Sequence, residues 1–360
     1  MKVCYLIHDI NPVNGGGRLV FELVKNLDKD IVTEIKFLTQ INSSNNAEET
    51  ILPNSIAGLI FSLPKIRNAL KKYDIIHAFD VFPYGIITAI ALIGLKKKFI
   101  ITVVGSGSVK PLHSFWRLWF SEWALKKADK IISISSYTAE EIEKKVSDVE
   151  IDIINPGVDY DYFNNLPKDN SFTDTRPYIL SVGAIKSRKG YEISLRVFAE
   201  INASLPQLKY IIVGAGRDKY FEKLKNLIKE LHIEEKVVFK KDISREELVS
   251  LYKGAELFLL LSQNDNYDVE GFGLVFLEAA ACGLPVIGST NCGAEDAIWN
   301  GGNGFLVDPK NISKAKKYAL IILKNFEMKY KFKDKSLEFA RKMSWQNAAQ
   351  KYLNIYKELS

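Results

Sequence analysis

Strand-like and helix-like segments alternate along the whole chain, which predicts an α/β protein built on parallel sheets. Two further observations predict that this architecture occurs twice. At 360 residues the chain exceeds one comfortable hydrophobic core. The alternation also breaks once, in the Asn-, Asp- and Pro-rich stretch from Tyr160 to Pro177, and restarts at Tyr178. The expectation is two Rossmann-like domains, residues 1–165 and 166–344, facing each other across a cleft, with helix 345–360 packing back on the first.

In the first half the apolar runs expected as strands are Lys2–Ile7, Ile35–Thr39, Ile75–Ala78, Phe99–Val103, Lys130–Ile134 and Ile151–Ile154. Arg18–Leu27 and Ala139–Lys145 carry helical periodicity between them. In the second half the strands are Tyr178–Val182, Tyr210–Val213, Val237–Lys240, Leu257–Leu261, Pro285–Gly288 and Gly304–Val307. Trp345–Leu359 reads as a helix, with apolar positions at Ala348, Ala349, Tyr352, Leu353 and Tyr356. Asn42–Asn46 reads as a polar loop.

Composition excludes several classes. A content of 47% hydrophobic and 26% charged residues is that of an ordinary globular chain. Cys4, Cys282 and Cys292 show no metal spacing and are too few for a disulfide framework, so a reducing cytoplasm is expected. The run Met1–Ile7 reads as a strand rather than a signal peptide, and no apolar run is long enough to span a bilayer. A net charge of +6 suits anionic substrates or an anionic membrane surface. The basic residues form no arginine-rich stripe, so nucleic acid is not an expected partner.

Residues 267–285 carry most of the chemistry. Glu270 precedes a Gly-Phe-Gly turn, and Glu278 stands in a run otherwise apolar from Leu274 to Cys282. A buried carboxylate needs a hydrogen-bonding partner. If Gly271 and Gly273 turn the backbone tightly, the amides of Phe272, Gly273 and Leu274 become the free donors of a helix N-terminus, a ready anion site. Two carboxylates flanking an anion hole suit a ligand with both phosphate and sugar hydroxyls, which points to a nucleotide sugar. The plain alternative is a glutamate complementing the helix dipole beside a common glycine turn.

Five segments in order resemble the family-4 glycosyltransferases, retaining enzymes of the GT-B fold. They are Gly15-Gly16-Gly17-Arg18, the strand Ala128–Ser135, Asn155-Pro156-Gly157-Val158-Asp159 with Phe163, Ser181-Val182-Gly183 with Lys189-Gly190, and the Glu270-x7-Glu278 pair. The resemblance runs over nearly the whole chain and is strongest over Pro177–Pro309. It implies an acceptor-binding first domain and a second domain binding a UDP- or GDP-linked sugar donor. Glu270 would hold hydroxyls of the transferred sugar, the amides of Phe272, Gly273 and Leu274 the donor phosphates, and Glu278 the ribose hydroxyls, with Gly271 also in the donor site. Lys189 and Arg188, with Lys186 in the same loop, would neutralise the departing diphosphate, so neither metal nor cofactor is called for. Gly16 and Gly17 would face the donor from the first domain, and Gly183, Gly214 and Ile243 would line its nucleotide.

The family also implies a glycan or lipid-linked acceptor in cell-surface polysaccharide or glycolipid assembly, with the protein cytoplasmic or peripheral at the inner face of the membrane. The acceptor side would take His77, Gly105 and Ser106, although a lone strand-end histidine such as His77 is more often structural. Two positions depart from the family pattern: Ala184 stands where an arginine is usual, and Val104 where many members carry histidine. Gly214-Ala215-Gly216-Arg217 lacks the third glycine of a dinucleotide fingerprint, which leaves a turn with Arg217 exposed and weakens a nicotinamide dehydrogenase reading. Ser114–Lys127, with Phe115, Trp116, Trp119, Phe120 and Trp123, reads as a core helix whose aromatics pack on the first sheet. An interfacial helix reaching toward a lipid-linked acceptor is its alternative. The rival functions are a nucleotide-sugar 2-epimerase and a non-catalytic nucleotide-sugar-binding protein.

Overall fold

The computed structural model describes residues 1–41, 49–172, 177–216 and 219–360. The loop expected at Asn42–Asn46 and the exposed Arg217 lie outside these residues. The chain divides into two compact units. The first comprises Met1–Pro156, Asn266–Gly271 and Trp345–Ser360, and the second Gly157–Asp265 and Phe272–Ser344.

Among the described residues the first unit holds seven parallel strands: β1 (Lys2–Ile7), β2 (Glu34–Thr39), β3 (Glu49–Ile51), β4 (Ile75–Phe79), β5 (Lys98–Val103), β6 (Lys130–Ser133) and β7 (Ile151–Ile153). Their spatial order is β3-β2-β1-β4-β5-β6-β7. The second unit holds β8 (Tyr178–Val182), β9 (Lys209–Val213), β10 (Val237–Lys240), β11 (Leu257–Leu259), β12 (Val286–Ser289) and β13 (Gly304–Val307), ordered β10-β9-β8-β11-β12-β13. Numbered within each unit, the first six strands of both sheets follow the order 3-2-1-4-5-6. Such a sheet has a switch point where the order reverses, and ligands bind outside the carboxyl ends of the strands there. That point lies between β1 and β4 in the first unit and between β8 and β11 in the second.

The strands form where the apolar runs predict them because a parallel sheet covered on both faces needs side chains that can be buried either way. The expected ends hold to within two residues. Periodicity missed β3, whose three residues extend the sheet edge through Phe37↔Glu49 and Thr39↔Ile51. A helix expected from Arg18 begins earlier, at Gly15, because Arg18 N–H already donates to Asn14 C=O at 2.8 Å. The three glycines therefore form its first turn. In the polar stretch after Asp159 the chain makes a short helix, Tyr160–Asn165, capped by the Asp159 carboxylate.

One face of the first sheet packs Cys4, Leu6, Ile76, Ala78 and Ile101 against Leu59, Ile66, Ile87, Ala124 and Leu125 from successive helices. On the other face Tyr5 and His77 meet Tyr352 and Tyr356 of the Trp345–Leu359 helix. The aromatic helix Phe115–Lys127 corrects the expectation of a buried aromatic face. It turns Ser121, Ala124 and Leu125 inward and leaves Phe115, Trp116, Trp119 and Phe120 exposed.

Candidate functional site

In the second unit the residues singled out gather at the carboxyl ends of the strands. β8 runs into Gly183, and the turn Ser187–Lys189 follows. That turn rests on the exit of β11: Gln263 N–H donates to Arg188 C=O at 2.8 Å, and a Cβ on Gly190 would overlap the Leu261 carbonyl. The packing places Lys189, 7% exposed, at the switch point of the sheet. Its Nζ lies 3.6 Å from where a Cβ on Gly183 would stand, and Tyr191 Oη donates to Gly183 C=O at 2.7 Å. Gly214 follows β9, where a Cβ would overlap the Gly183 carbonyl, so close strand packing already requires that glycine. Ile243, half-buried, follows β10 in the short link to the Arg245–Gly254 helix.

Gly273 adopts a left-handed φ of +88° and opens the eight-residue helix Leu274–Ala281. A side chain would strain that conformation, whereas glycine turns there freely. First-turn amides of a helix have no intrahelical acceptor, so this turn presents donors together with the dipole's positive end. Four residues on, Glu278 is 2% exposed and accepts a hydrogen bond from Tyr252 Oη at 2.9 Å. Tyr252 is the partner that burial of this carboxylate demands, and the sequence reading missed it. Phe272 is buried in the same unit.

In the first unit, Glu270 is 7% exposed and Gly271 packs directly on the loop after β5. A Cβ on Gly271 would overlap the Val104 carbonyl oxygen, so only glycine permits this approach. The same segment is held by Ser106 Oγ, which donates to Asp268 Oδ1 at 2.5 Å and accepts from Val269 N–H at 3.0 Å. Gly105, next to Gly271, adopts extended backbone. His113 stacks on Tyr267 with ring centroids 3.5 Å apart. Ser106 and Gly105 thus sit beside Glu270's own segment.

His77 does not reach the strand edge where an acceptor contact was expected. It is fully buried, with Nδ1 2.7 Å from Tyr356 Oη and Nε2 2.7 Å from Thr102 Oγ1. Burial lowers its pKa to about 3, which keeps the ring neutral. A buried strand position with both nitrogens engaged is a structural post. Gly16, on the helix after β1, has open space around it. Gly17 does not: a Cβ there would overlap Asp9 Oδ1, and the packing of Asp9 accounts for this glycine.

A further residue at the first switch point has no sequence signature beyond following a strand. Asp80 follows β4 with a φ of +71° and is half-buried. Its Oδ1 accepts from Ser108 Oγ at 2.7 Å and from the amides of Val104 and Gly105 at 3.3 Å each. Burial raises its pKa, and these donors pull it back. Asp80 therefore shapes the Val104–Ser108 loop on which Gly271 rests.

Comparison with known proteins agrees with this architecture. Residues 13–162 match the family model for glycosyltransferase family 4, and residues 163–339 that for glycosyl transferases group 1. An uncharacterized glycosyltransferase of Methanocaldococcus jannaschii is 26% identical over 97% of this chain and 96% of its own. The GDP-mannose-dependent α-(1-6)-phosphatidylinositol monomannoside mannosyltransferase of Mycolicibacterium smegmatis is 30% identical, over 51% of this chain and half its own length. Anabaena HepE, solved in complex with UDP, superposes with a TM-score of 0.84 over 99% of this chain and all of its own, at 18% identity. With the two family models spanning residues 13–339 and two Rossmann-like sheets beneath them, the chain belongs to the family-4 glycosyltransferases of the GT-B fold.

Proposed function

We propose that the protein transfers a hexosyl group from a UDP- or GDP-linked sugar, with retention of configuration, to a glycan or lipid-linked acceptor of the cell surface. The observation that carries this reading is Lys189, a buried cation at the switch point of the second sheet, beside a glycine-walled strand exit. A nucleoside diphosphate leaving group develops negative charge as the glycosidic bond breaks. Cations and amides fixed beforehand stabilise that charge without reorganising. Lys189 and Arg188 supply the cations, and the first-turn amides from Phe272 to Leu274 the donors. Glu278 accepts ribose hydroxyls, and Gly183, Gly214 and Ile243 line the nucleotide.

Glu270 holds hydroxyls of the transferred sugar, and Gly16, Gly105 and Ser106 are the first unit's candidates for contact with sugar and acceptor. No protein nucleophile is invoked: the acceptor hydroxyl attacks on the face the diphosphate leaves, and the leaving group takes up its proton. This assignment also accommodates Val104 in place of a histidine. UDP in the Anabaena HepE complex supports a nucleotide donor, and the lipid in the mycobacterial enzyme's name supports a lipid-linked acceptor. A cytoplasmic protein, peripheral at the inner face of the membrane, would meet both substrates.

The test is a panel of UDP-, GDP- and ADP-sugars, followed for nucleoside diphosphate release with chelator and then with metal. Release from one donor, insensitive to chelator and lowered about 10²–10³-fold in Lys189→Ala and Glu270→Ala, is the expected outcome. Glu278→Ala should chiefly weaken donor affinity. Absence of donor binding by calorimetry across the panel would overturn the assignment. Binding without turnover, even with lipid-linked acceptors supplied, would leave a nucleotide-sugar-binding protein.

A further inference from the structure

We propose that the outer surface of the helical layer on one face of the first sheet, centred on the Phe115–Lys127 helix, docks onto an anionic lipid bilayer. This deepens the lipid-linked-acceptor reading and rests on it for its purpose, though not for its test.

The helix has its bulk on the wrong side for a core element. Its inward face consists of Ser121, Ala124 and Leu125, at i, i+3 and i+4 spacing. At 100° per residue, Phe115, Trp116, Trp119 and Phe120 fall on the opposite arc, together with Lys126 and Lys127 at its C-terminal end, while Trp123 is partly buried against the core. Phe115 is 83%, Trp116 73% and Trp119 65% exposed. Arg117, off that arc, lies instead over the Phe82 ring at 4.8 Å. Contiguous exposed aromatics of this kind mark an interaction surface.

Charge identifies the occupant. Leu59, Ile66, Ile87, Ala124 and Leu125 belong to one buried cluster, so the helices that carry them cover the same face of the sheet. The three segments that supply this layer, residues 54–73, 81–97 and 104–128, contain ten Lys and Arg and a single carboxylate, Glu122. The rest of the chain holds 39 Lys and Arg against 42 Asp and Glu, so the whole net positive charge resides here. Exposed Ile60, Phe61 and Ile93 add apolar surface to the same layer. At the sheet edge the Ser136–Glu143 helix, whose neighbour Val146 also reaches this cluster, is acidic and bounds the basic field.

A convex aromatic ridge in a field of lysines suits a membrane interface, where tryptophan rings settle at headgroup depth and cations meet anionic lipid. A protein partner would instead be met by a groove or by mixed charge. No helix among the described residues is long and apolar enough to cross a membrane, so docking would be peripheral.

The experiment is flotation of the purified protein with phosphatidylcholine vesicles and with vesicles containing phosphatidylglycerol, alongside gel filtration across a concentration range. Wild type should float with the anionic vesicles, blue-shift its tryptophan emission and release at high salt. Trp116→Ser with Trp119→Ser should lower partitioning at least about tenfold, and Lys126→Glu or Lys127→Glu about fivefold each. These positions are exposed, so donor cleavage in solution should be unchanged. Absence of wild-type flotation, or flotation indifferent to the variants, overturns the proposal. Self-association abolished by the tryptophan changes also overturns it, in favour of an interface between copies. Flotation by a protein that cleaves no donor would sustain the docking and reject the transferase reading instead.

Discussion

At the switch point of the first sheet the strands exit onto carboxylates, Asp9 after β1 and Asp80 after β4. At that of the second, the exits of β8 and β11 enclose a turn bearing Arg188 and Lys189. The strand order is the same, and the charge is opposite. The carboxylates of the first unit are met by donors of that unit: Asp9 by Asn11 N–H at 2.9 Å and Asn14 Nδ2 at 3.1 Å, Asp80 by Val104, Gly105 and Ser108. They are occupied in shaping loops. The second unit instead places a buried lysine and the N-terminus of a glycine-opened helix at its strand exits, positive groups that suit an anionic ligand. The difference teaches that topology fixes where a ligand can sit, while the loop residues decide its charge.

The largest expected effect breaks the first half of this comparison. Asp80→Ala removes the acceptor for two amides and a hydroxyl, and also places a side chain without polar compensation at a φ of +71°. It should destabilise the first unit by about 2–3 kcal/mol in chemical denaturation. Asp80→Gly keeps the backbone conformation and deletes only the carboxylate, so it should recover about 1 kcal/mol of that loss. Equal losses in the two variants would show that the hydrogen bonds, not the backbone, set the loop. No loss in either would refute a structural role for Asp80.

The next effect, smaller per pH unit, concerns the core beneath that switch point and depends on pH. An unfolded histidine protonates near 6.5, whereas burial holds His77 neutral down to about 3. Between those values the unfolded chain binds a proton that the folded chain refuses. The stability contribution is therefore complete above 6.5 and is lost as pH falls toward 3. His77→Gln can still bond Tyr356 and Thr102 but cannot titrate. The difference between wild type and variant in unfolding free energy should slope by up to about 1.4 kcal/mol per pH unit inside that window and vanish above it. A parallel pair of curves would show that His77 is protonated in the folded protein.

The strands were legible because residues buried on both faces leave unbroken apolar runs, and β3 was not because three residues cannot show a period. Glu270 and Glu278 were singled out by the glycine turn and apolar run around them, and Lys189 through the family resemblance. Tyr252 was not, since it lies 26 residues from the carboxylate it serves. Asp80 was hidden in the same way, its partners arriving from the next strand's loop. The aromatic helix was misread because its composition was weighed instead of its phase. The spacing of Ser121, Ala124 and Leu125 already marked the inward face, and Phe115, Trp116, Trp119 and Phe120 were bound to fall outside it. His77 was misplaced for a related reason: its strand is flanked by two others and covered by the tail helix, which no local pattern reports.

The smallest effect sharpens the second half of the comparison. If the second unit is built to receive an anion and its ribose, then Glu278 must be oriented before the ligand arrives, and Tyr252 Oη is the group that orients it. Tyr252→Phe removes the hydrogen bond to the Glu278 carboxylate, with the longer one to Val275 C=O at 3.5 Å, without opening a cavity. It should weaken nucleotide binding by about 1–2 kcal/mol, roughly five- to thirtyfold in calorimetry, and leave the rate at saturating donor almost unchanged. Glu278→Gln should lose at least as much and make Tyr252→Phe silent in the double variant, because the two act through one contact. Additive losses would mean that Tyr252 touches the nucleotide itself. A fall in the saturated rate with affinity intact would move Glu278 away from the ribose and toward the reacting bond.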